Sequence, residues 1–363
     1  MIGSIVKYKK YINEMERFIN MAKTTHGLPE TKGFFRLRGL ATGLKKEDAL
    51  KPQTFPSGAE KNTAKFGVKV DKESIVFVNV EGFKSKNAYL FKQSEVKGEK
   101  PQQKIVPWDD RYNYEEEGFK VIGTRLGLEK DEKGKNIIST FAQYDAAEEV
   151  VSGLSDDISI YVQGQIEYSS FKNREGDAIR NKKLLADAVF LNSKDIDFEE
   201  EGFESLSDFK QTIVFIGIEK AENGDKFLVE AKIITQNSIE NAEFVIYEKS
   251  LANMIKKNLK PYTAISVSGK IINKADVEEV KETDSWGKTN SFDRANTSYT
   301  REYVIEGANP ETIDVETYTQ SIVDEALEKL NAEGQQKSTD TWGKQDSKDD
   351  KKVVEIEEDD LPW

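Results

Sequence analysis

Aromatic and basic side chains interleave along several stretches of this 363-residue chain, and they are its main candidates for chemistry. Rings and arginines alternate in residues 33–44, and a long β-type run at 157–171 leads into a basic loop at 172–183. Cations that follow phosphates and rings that stack on bases are what binding of a single nucleic-acid strand requires. The candidates here are Phe34, Arg36, Arg38, Arg125, Lys133, Lys135, Tyr168, Phe171, Lys172, Arg174, Arg180 and Lys182.

Two further stretches show the same mixture. Tyr89, Phe91 and Trp108 lie among lysines within residues 45–117, either on an arm that lengthens a binding groove or on a β-extension without that role. A polar loop carries Trp286, Lys288, Phe292 and Arg294. Aromatic rings in a polar loop are less expected in the core, so we favour contact with a ligand for these residues.

For each of these aromatic residues the alternative is that its side chain packs in the core and does not contact nucleic acid. A ring inside an apolar run, such as Phe77, is expected in the core. Tyr168 differs in parity from Tyr161 and Phe171, so a regular strand would not place all three rings on one face.

Residue types argue against several classes of site. The chain has no cysteine and one histidine, so thiolate nucleophiles, cysteine-held metals and histidine-based triads are not expected. No zinc-protease, phosphate-loop or nucleophile-elbow motif occurs. We therefore expect no enzyme, no cofactor and no metal. No apolar run approaches the ~20 residues of a membrane span, so we expect no membrane association and a cytoplasmic location.

The net charge of −13 conceals an uneven distribution of 53 basic and 66 acidic residues. Acidic residues concentrate at 195–209 and at 334–363, whereas residues 84–104 and 172–183 are locally basic. The acidic C-terminal segment contains few large apolar residues, and such segments do not offset their ordering entropy. We therefore expect basic faces on the folded part and a disordered acidic tail.

Two stretches share one order of elements: strand, hairpin, short helix, long strand, strand. The first copy uses residues 33–44, 119–144, 146–154, 157–171 and 184–191, and the second runs from 211 to 306. A V-x-G-x-I pattern recurs, with its glycine at Gly164 and at Gly269. Midstrand glycines suit a small coiled sheet, and this order is that of the OB-fold. The alternative is an unrelated pair of all-β domains.

The predicted fold is mainly β, with two tandem OB-like five-stranded Greek-key barrels, each with one short helix. The expected organisation is an N-terminal helix and lead-in at 1–31, a first OB-like domain at 32–194 with an insertion at 45–117, an acidic linker at 195–209, a second OB-like domain at 210–308, a C-terminal helix at 309–333 and a disordered tail at 334–363. The N-terminal helix either packs on its own domain or contacts another molecule.

Residues 124–171 resemble the central part of bacterial-type single-stranded DNA-binding proteins, in which a charged hairpin leads to a helix and then to a V-x-V-x-G-x-I strand. Ile160 stands where the first of those valines would be. The C-terminal Asp359, Asp360, Leu361, Pro362 and Trp363 are similar to that family's acidic tip. Two OB-like units in one chain and the long insertion depart from the compact family and favour a phage or mobile-element version.

The resemblance implies non-sequence-specific binding and protection of single-stranded DNA in replication, recombination and repair, in the cytoplasm of a bacterial or phage-infected host cell. It also implies that the tip recruits replication or recombination proteins, with Trp363 docking in an apolar pocket; the alternative is a tail that only improves solubility. The alternative function is a structural or assembly protein of a virus or mobile element built from two β-barrel domains.

Overall fold

A mainly β fold, as predicted from the sequence, is confirmed. Within residues 24–94, 100–172, 178–222, 224–277 and 297–340, which this computed structural model describes, there are sixteen strands and three α-helices. The strands are β1 (Gly33–Thr42), β2 (Leu50–Thr54), β3 (Glu60–Lys69), β4 (Ile75–Phe83), β5 (Asn87–Lys92), β6 (Gln102–Pro107), β7 (Lys120–Val121), β8 (Thr124–Lys130), β9 (Asn136–Phe141), β10 (Ser159–Lys172), β11 (Ala178–Leu191), β12 (Leu206–Lys220), β13 (Phe227–Ile234), β14 (Ile239–Ile246), β15 (Thr263–Val277) and β16 (Thr297–Asp314). The helices are α1 (Gln143–Gly153), α2 (Lys249–Asn258) and α3 (Gln320–Asp340), and Trp108–Asp110 forms one 3-10 turn.

The strands of the first half pair in a closed circuit. From β1 the order runs through β10, β11, β4 and β3 and returns to β1, and only the β11–β4 pair is parallel. The expected insertion at 45–117 therefore supplies two strands of this circuit, β3 and β4. The predicted hairpin of β8 and β9 is attached alongside instead, with β8 parallel to the C-terminal part of β11.

The second half repeats the arrangement. From β12 the order runs through β13, β14, β16 and β15 and returns to β12, again with one parallel pair, β14 with β16. Helix α2 follows β14 here, and α1 precedes β10 in the first half. Both helices lie close to their predicted positions.

The two circuits join through the first halves of β1 and β12, which pair antiparallel from Gly33↔Gln211 to Arg38↔Leu206. Asp208 adds an ion pair on each side, at 2.9 Å to Arg36 and at 2.7 Å to Lys270. Since β12 begins at Leu206, the last residues of the predicted linker are part of this sheet. The preceding part of that segment also contacts the first half, for example through the ion pair of Glu199 with Lys72 at 2.6 Å.

The repeated glycines occupy matching close approaches. A Cβ on Gly164 would lie 1.9 Å from the carbonyl oxygen of Leu185, and one on Gly269 would lie 1.8 Å from that of Val304. The strand register shifts next to both glycines. The two long strands can curl around their circuits because these positions carry no side chain.

Residues 87–121 form a small separate sheet in the order β6-β5-β7. Its core contains Leu90, Val106 and Phe119, partly covered by Trp108 and Tyr112. The sheet is therefore an appendage of the first circuit with an apolar core of its own.

The chain ends differ from the predicted organisation. Strand β16 continues to Asp314, so the C-terminal helix begins at Gln320 and not at 309, and it extends to Asp340, past the predicted start of the tail. Residues 1–23 of the predicted N-terminal helix and 341–363 of the tail lie outside the described residues. The lead-in packs on the second half: Leu28 contacts the cluster of Val214, Ile234 and Tyr318.

Candidate functional site

Two lysines and two phenylalanines line the outward side of β3 and β4. Lys61 lies opposite Phe83 in the register, and its Nζ is 5.5 Å from the centre of that ring. The Nζ of Lys65 is 5.8 Å from the ring centre of Phe77. Phe77 is 47% exposed and Phe83 is 54% exposed. We call these four residues the lysine–phenylalanine surface.

Strand alternation explains why these rings face solvent. Val76, Val78 and Val80 are buried in the core of the first circuit, so Phe77 and Phe83 must point to the other side. Full burial of a phenylalanine side chain contributes about 1.5–3 kcal/mol to stability. Phe77 and Phe83 of β4 lose much of this contribution because they are exposed. Exposed apolar groups clustered on one face are typical of interaction sites.

A third ring extends the surface at one end. The ring of Phe55, in the turn after β2, lies 5.7 Å from that of Phe83, with the planes 35° apart. Phe77 and Phe83 are six residues apart on one strand, which corresponds to roughly 20 Å at 3.3 Å per residue. The rings therefore form a row long enough to contact more than one base.

The charge on this face is predominantly positive. Glu81 lies between two lysines, at 2.9 Å from Lys61 and 3.5 Å from Lys183. Burial opposes ionisation of Glu81, but the hydrogen bonds and charges of the two lysines outweigh it and lower the pKa of its carboxyl. The carboxylate is thus ionised at neutral pH and neutralises one of three nearby cations, Lys61, Lys65 and Lys183.

The corresponding strands of the second half carry a different face. Glu230 of β13 lies directly opposite Glu243 of β14, and Lys232 opposite Asn241 with its Nζ hydrogen-bonded to the amide oxygen at 3.0 Å. Two acids in cross-strand contact repel a phosphate backbone. The two halves are therefore alike in strand pairing and unlike in surface chemistry.

Several residues predicted from the sequence lie on another surface, around β1. Arg36 is paired with Asp208, and Nη2 of Arg38 donates to the carbonyl of Glu204 at 2.8 Å. The guanidinium of Arg125 lies 5.6 Å from the ring centre of Phe190. Phe34 has the same parity as the two arginines on β1, and Lys133 and Lys135 are exposed in the turn between β8 and β9.

Two predicted rings have structural roles instead. Tyr168 is only 5% exposed and belongs to the main core, so it is not available to stack on a base, and that prediction is wrong. Trp108 is half-buried, with the guanidinium of Arg111 4.5 Å from its ring centre and the ring of Tyr144 edge-on at 6.1 Å. It holds the small sheet in place.

The remaining predicted residues are dispersed. Phe171 is 55% exposed and Arg180 is exposed near the end of the β10–β11 hairpin, while Tyr89 is exposed and Phe91 half-buried on the small sheet. Lys182 faces the second half of the chain, and Lys172 ends β10. The residues outside the described part are Arg174, Trp286, Lys288, Phe292, Arg294, Asp359, Asp360, Leu361, Pro362 and Trp363.

The lysine–phenylalanine surface is not among the predictions from the sequence. Phe77 was expected in the core because it stands in an apolar run. The signal was nevertheless present: Phe77, Asn79, Glu81 and Phe83 share one parity, and only valines occupy the other positions from 76 to 80.

The described part of the chain contains no cluster of histidine, aspartate and glutamate that could hold a metal ion. Among the described helices, none has the length and apolar character needed to cross a membrane.

Comparison with known proteins gives one family and a set of similar structures, including two from Thermus aquaticus. No curated protein matches the sequence. The wild-type single-stranded DNA binding protein from Thermus aquaticus matches with a TM-score of 0.35 and 12% identity, covering 77% of this chain and 93% of that one. A deletion mutant of the same protein matches with a TM-score of 0.35 and 11% identity over the same shares. A family described as YorF matches residues 93–341, more than half of the sequence, and the chain belongs to this YorF family.

Proposed function

We propose that this protein binds single-stranded nucleic acid through the lysine–phenylalanine surface. The proposed ligand is single-stranded DNA. The observation that carries the proposal is the pairing of each exposed ring, Phe77 and Phe83, with a lysine ammonium less than 6 Å from its centre. Stacking rings beside cations fit an unpaired strand, whose bases present their faces and whose phosphates are close by.

We further propose that both strand circuits are OB-type barrels. Supporting this, each circuit places its third strand parallel to its fifth and has a short helix before the fourth. In the OB-fold the face of strands two and three binds oligonucleotides. In the first circuit those strands are β3 and β4, which carry the lysine–phenylalanine surface.

Binding would proceed without reading sequence. The bases would stack on Phe77 and Phe83, with Phe55 at one end. The positive charge that Glu81 leaves uncompensated among Lys61, Lys65 and Lys183 would attract phosphates. Stacking accepts every base because each has a π face, and phosphate contacts carry no sequence information directly. We propose a role in binding and protection, with no catalytic step.

Replacement of Phe77 or Phe83 by alanine tests the proposal. Each variant should lose about 1–3 kcal/mol in binding oligothymidylate, because a stacking partner is removed while the buried side of the strand is unchanged. Tyr89→Ala is the matched control, since this ring is 60% exposed on the small sheet. Unchanged affinity in both phenylalanine variants, with a normal unfolding transition, would reject the assigned surface.

The biological setting is also a proposal. Replication, recombination and repair, a phage or mobile-element origin, and partner recruitment by Asp359–Trp363 rest on the resemblance and on the sequence of the tip. Binding of neither single strands nor duplex would favour the structural or assembly role instead.

A further inference from the structure

A cleft lies where the first half of the chain reaches the second. The ends of β10 and β11 extend beyond their own circuit as a two-stranded arm, and Lys182 of this arm lies within 3.5 Å of the carbonyl oxygen of Glu243 in β14. The cleft has a volume of about 340 Å³ and is lined by Lys182, Lys226, Glu243, Val245, Arg301, Glu302 and Tyr303.

The ammonium group of Lys182 rests on aromatic rings. Its Nζ is 4.3 Å from the ring centre of Tyr303, 5.7 Å from that of Phe244 and 5.9 Å from that of Tyr168. Within the described residues, no carboxylate forms an ion pair with Lys182, whereas Lys226 is paired with Glu302. The charge of Lys182 is therefore compensated by ring faces, by one carbonyl oxygen and by the nearby charge of Glu243, with which it forms no direct ion pair in the described residues.

The other polar groups around Lys182 come from every neighbouring strand. Tyr168 of β10 has a buried hydroxyl without a hydrogen-bond partner in the described structure. The hydroxyl of Tyr247 donates to Glu302 at 2.7 Å, so that carboxylate already has two partners. The charged and titratable groups that line the cleft are Lys182, Lys226, Glu243, Arg301, Glu302 and Tyr303. Tyr168, in the core, has its ring centre 5.9 Å from the Nζ of Lys182.

Lys182 and its neighbour Lys183 face opposite sides of β11. Lys183 contacts Glu81 beside the lysine–phenylalanine surface, and Lys182 faces the cleft, because successive side chains of a strand alternate. The arm thus presents one cation to each side. A single nucleic-acid strand bound on the lysine–phenylalanine surface would pass Lys183, go around this arm and reach Lys182.

We propose that the cleft holds a phosphate of the bound single strand, which wraps around the β10–β11 arm from the first half of the chain to the second. This inference rests on the proposed function, and it gives the second half a contact with the nucleic acid through Arg301 of β16. Lys182 and Arg301 there face one further carboxylate, Glu243 of β14, beside the Lys226–Glu302 ion pair. The ligand group is a phosphodiester, held by Lys182 together with Arg301.

The ionisation of Lys182 gives the proposal a second readout. Desolvation lowers its pKa to about 8, with the charge of Glu243 acting in the opposite direction, although part of the side chain remains accessible. A phosphate in the cleft favours the charged form and raises this pKa again. Binding of a wrapped strand should therefore weaken as the pH rises above about 8, where free Lys182 loses its proton.

The test compares oligothymidylates of about 6 and about 30 nucleotides, lengths chosen around the usual site sizes of OB-folds. Lys182→Gln should weaken binding of the long strand about tenfold, a change of 1.4 kcal/mol, and leave the short strand unchanged. Lys182→Arg should keep the long-strand affinity and abolish its decline above pH 8, since arginine stays charged. Lys257→Gln on α2 is the control.

The outcomes separate this proposal from the proposed function. Equal losses for short and long strands, or no loss for either, would overturn the cleft site while single-strand binding stands. Absence of any strand binding in the wild type would reject the proposed function itself. Tight binding of inorganic phosphate alone, lost in Lys182→Gln, would identify a free anion as the ligand and also overturn the wrapped strand.

Discussion

Arg111 holds the carboxylate of Asp145 with both arms of its guanidinium, from Nε to Oδ2 at 2.7 Å and from Nη2 to Oδ1 at 3.0 Å. The hydroxyl of Tyr112 donates to the same carboxylate at 2.6 Å and accepts from the backbone N–H of Ala142 at 3.1 Å. Asp145 lies in the first turn of α1, so these bonds fasten the small sheet to the helix of the first circuit.

Asp145→Ala should release the small sheet. Hydrogen bonds to charged groups contribute about 1.5–3 kcal/mol each. The variant loses three of them and leaves Arg111 without a carboxylate partner, with its hydrogen bond to the carbonyl of Trp108 retained. Amide hydrogen exchange in β5, β6 and β7 should accelerate while the core strands keep their protection. Asp109→Ala, an exposed acid on the same appendage, should change neither. Uniform acceleration across all strands would contradict a local anchor.

The paired glycines give a prediction about stability. Gly164→Ala and Gly269→Ala place a methyl group within 2 Å of a carbonyl oxygen, so each should cost about 3 kcal/mol or more. Gly217→Ala is the matched control, because a Cβ there meets nothing within 4 Å. It should be neutral or slightly stabilising, since alanine restricts the unfolded chain. Urea unfolding measures all three, and a control as unstable as Gly164→Ala would contradict the steric argument.

The sequence predicted local features of this fold better than pairings. The short helices α1 and α2, the long strand β10 and the glycines Gly164 and Gly269 follow from periodicity and repetition. The membership of β3 and β4 in the first circuit does not, because a β-rich segment shows that it is a strand without showing which strand it pairs with. The order of elements along the chain therefore favours the nearer hairpin of β8 and β9.

The same limit applies to the candidate site. A ring between lysines is recognisable in sequence, but its parity relative to the core decides whether it can stack. Tyr168 continues the buried series of Val162 and Ile166, and Phe77 stands between buried valines, so one ring is inside and the other outside. The predicted binding function remains a proposal. The surface proposed for it lies on β3 and β4, whereas the sequence predicts one on β1 and β10.

Salt dependence distinguishes the two candidate surfaces. Each phosphate neutralised on a single strand contributes about 0.7 to the slope of log K against log salt. Lys61→Gln with Lys65→Gln should therefore reduce the slope by about 0.7 if only Lys65 neutralises a phosphate, and by about 1.4 if Lys61 also exchanges Glu81 for a phosphate. Lys133→Gln with Lys135→Gln removes the same charge from the exposed turn that the sequence favoured. Fluorescence anisotropy over a salt series decides, and a larger effect in the second pair would return the site to that turn.

The acidic tail, which lies outside the described residues, carries the last prediction. Truncation after Lys352 removes Glu355, Glu357, Glu358, Asp359 and Asp360, which compete with phosphates for basic surfaces, together with Trp363. Affinity for single strands should stay equal or rise, most clearly at low salt where the screening length exceeds ~10 Å.

Trp363→Ala separates the two roles of that tail. It leaves every carboxylate in place, so affinity for single strands should scarcely change, whereas a single buried aromatic supplies much of the energy of a small interface. Capture of partner proteins on an immobilised full-length chain should therefore fall in this variant as far as in the truncated one. Asp359→Asn with Asp360→Asn is the complementary control, because it removes charge and keeps the ring. If truncation weakens strand binding instead, the tail contributes to the nucleic-acid site and the assigned division of roles is wrong.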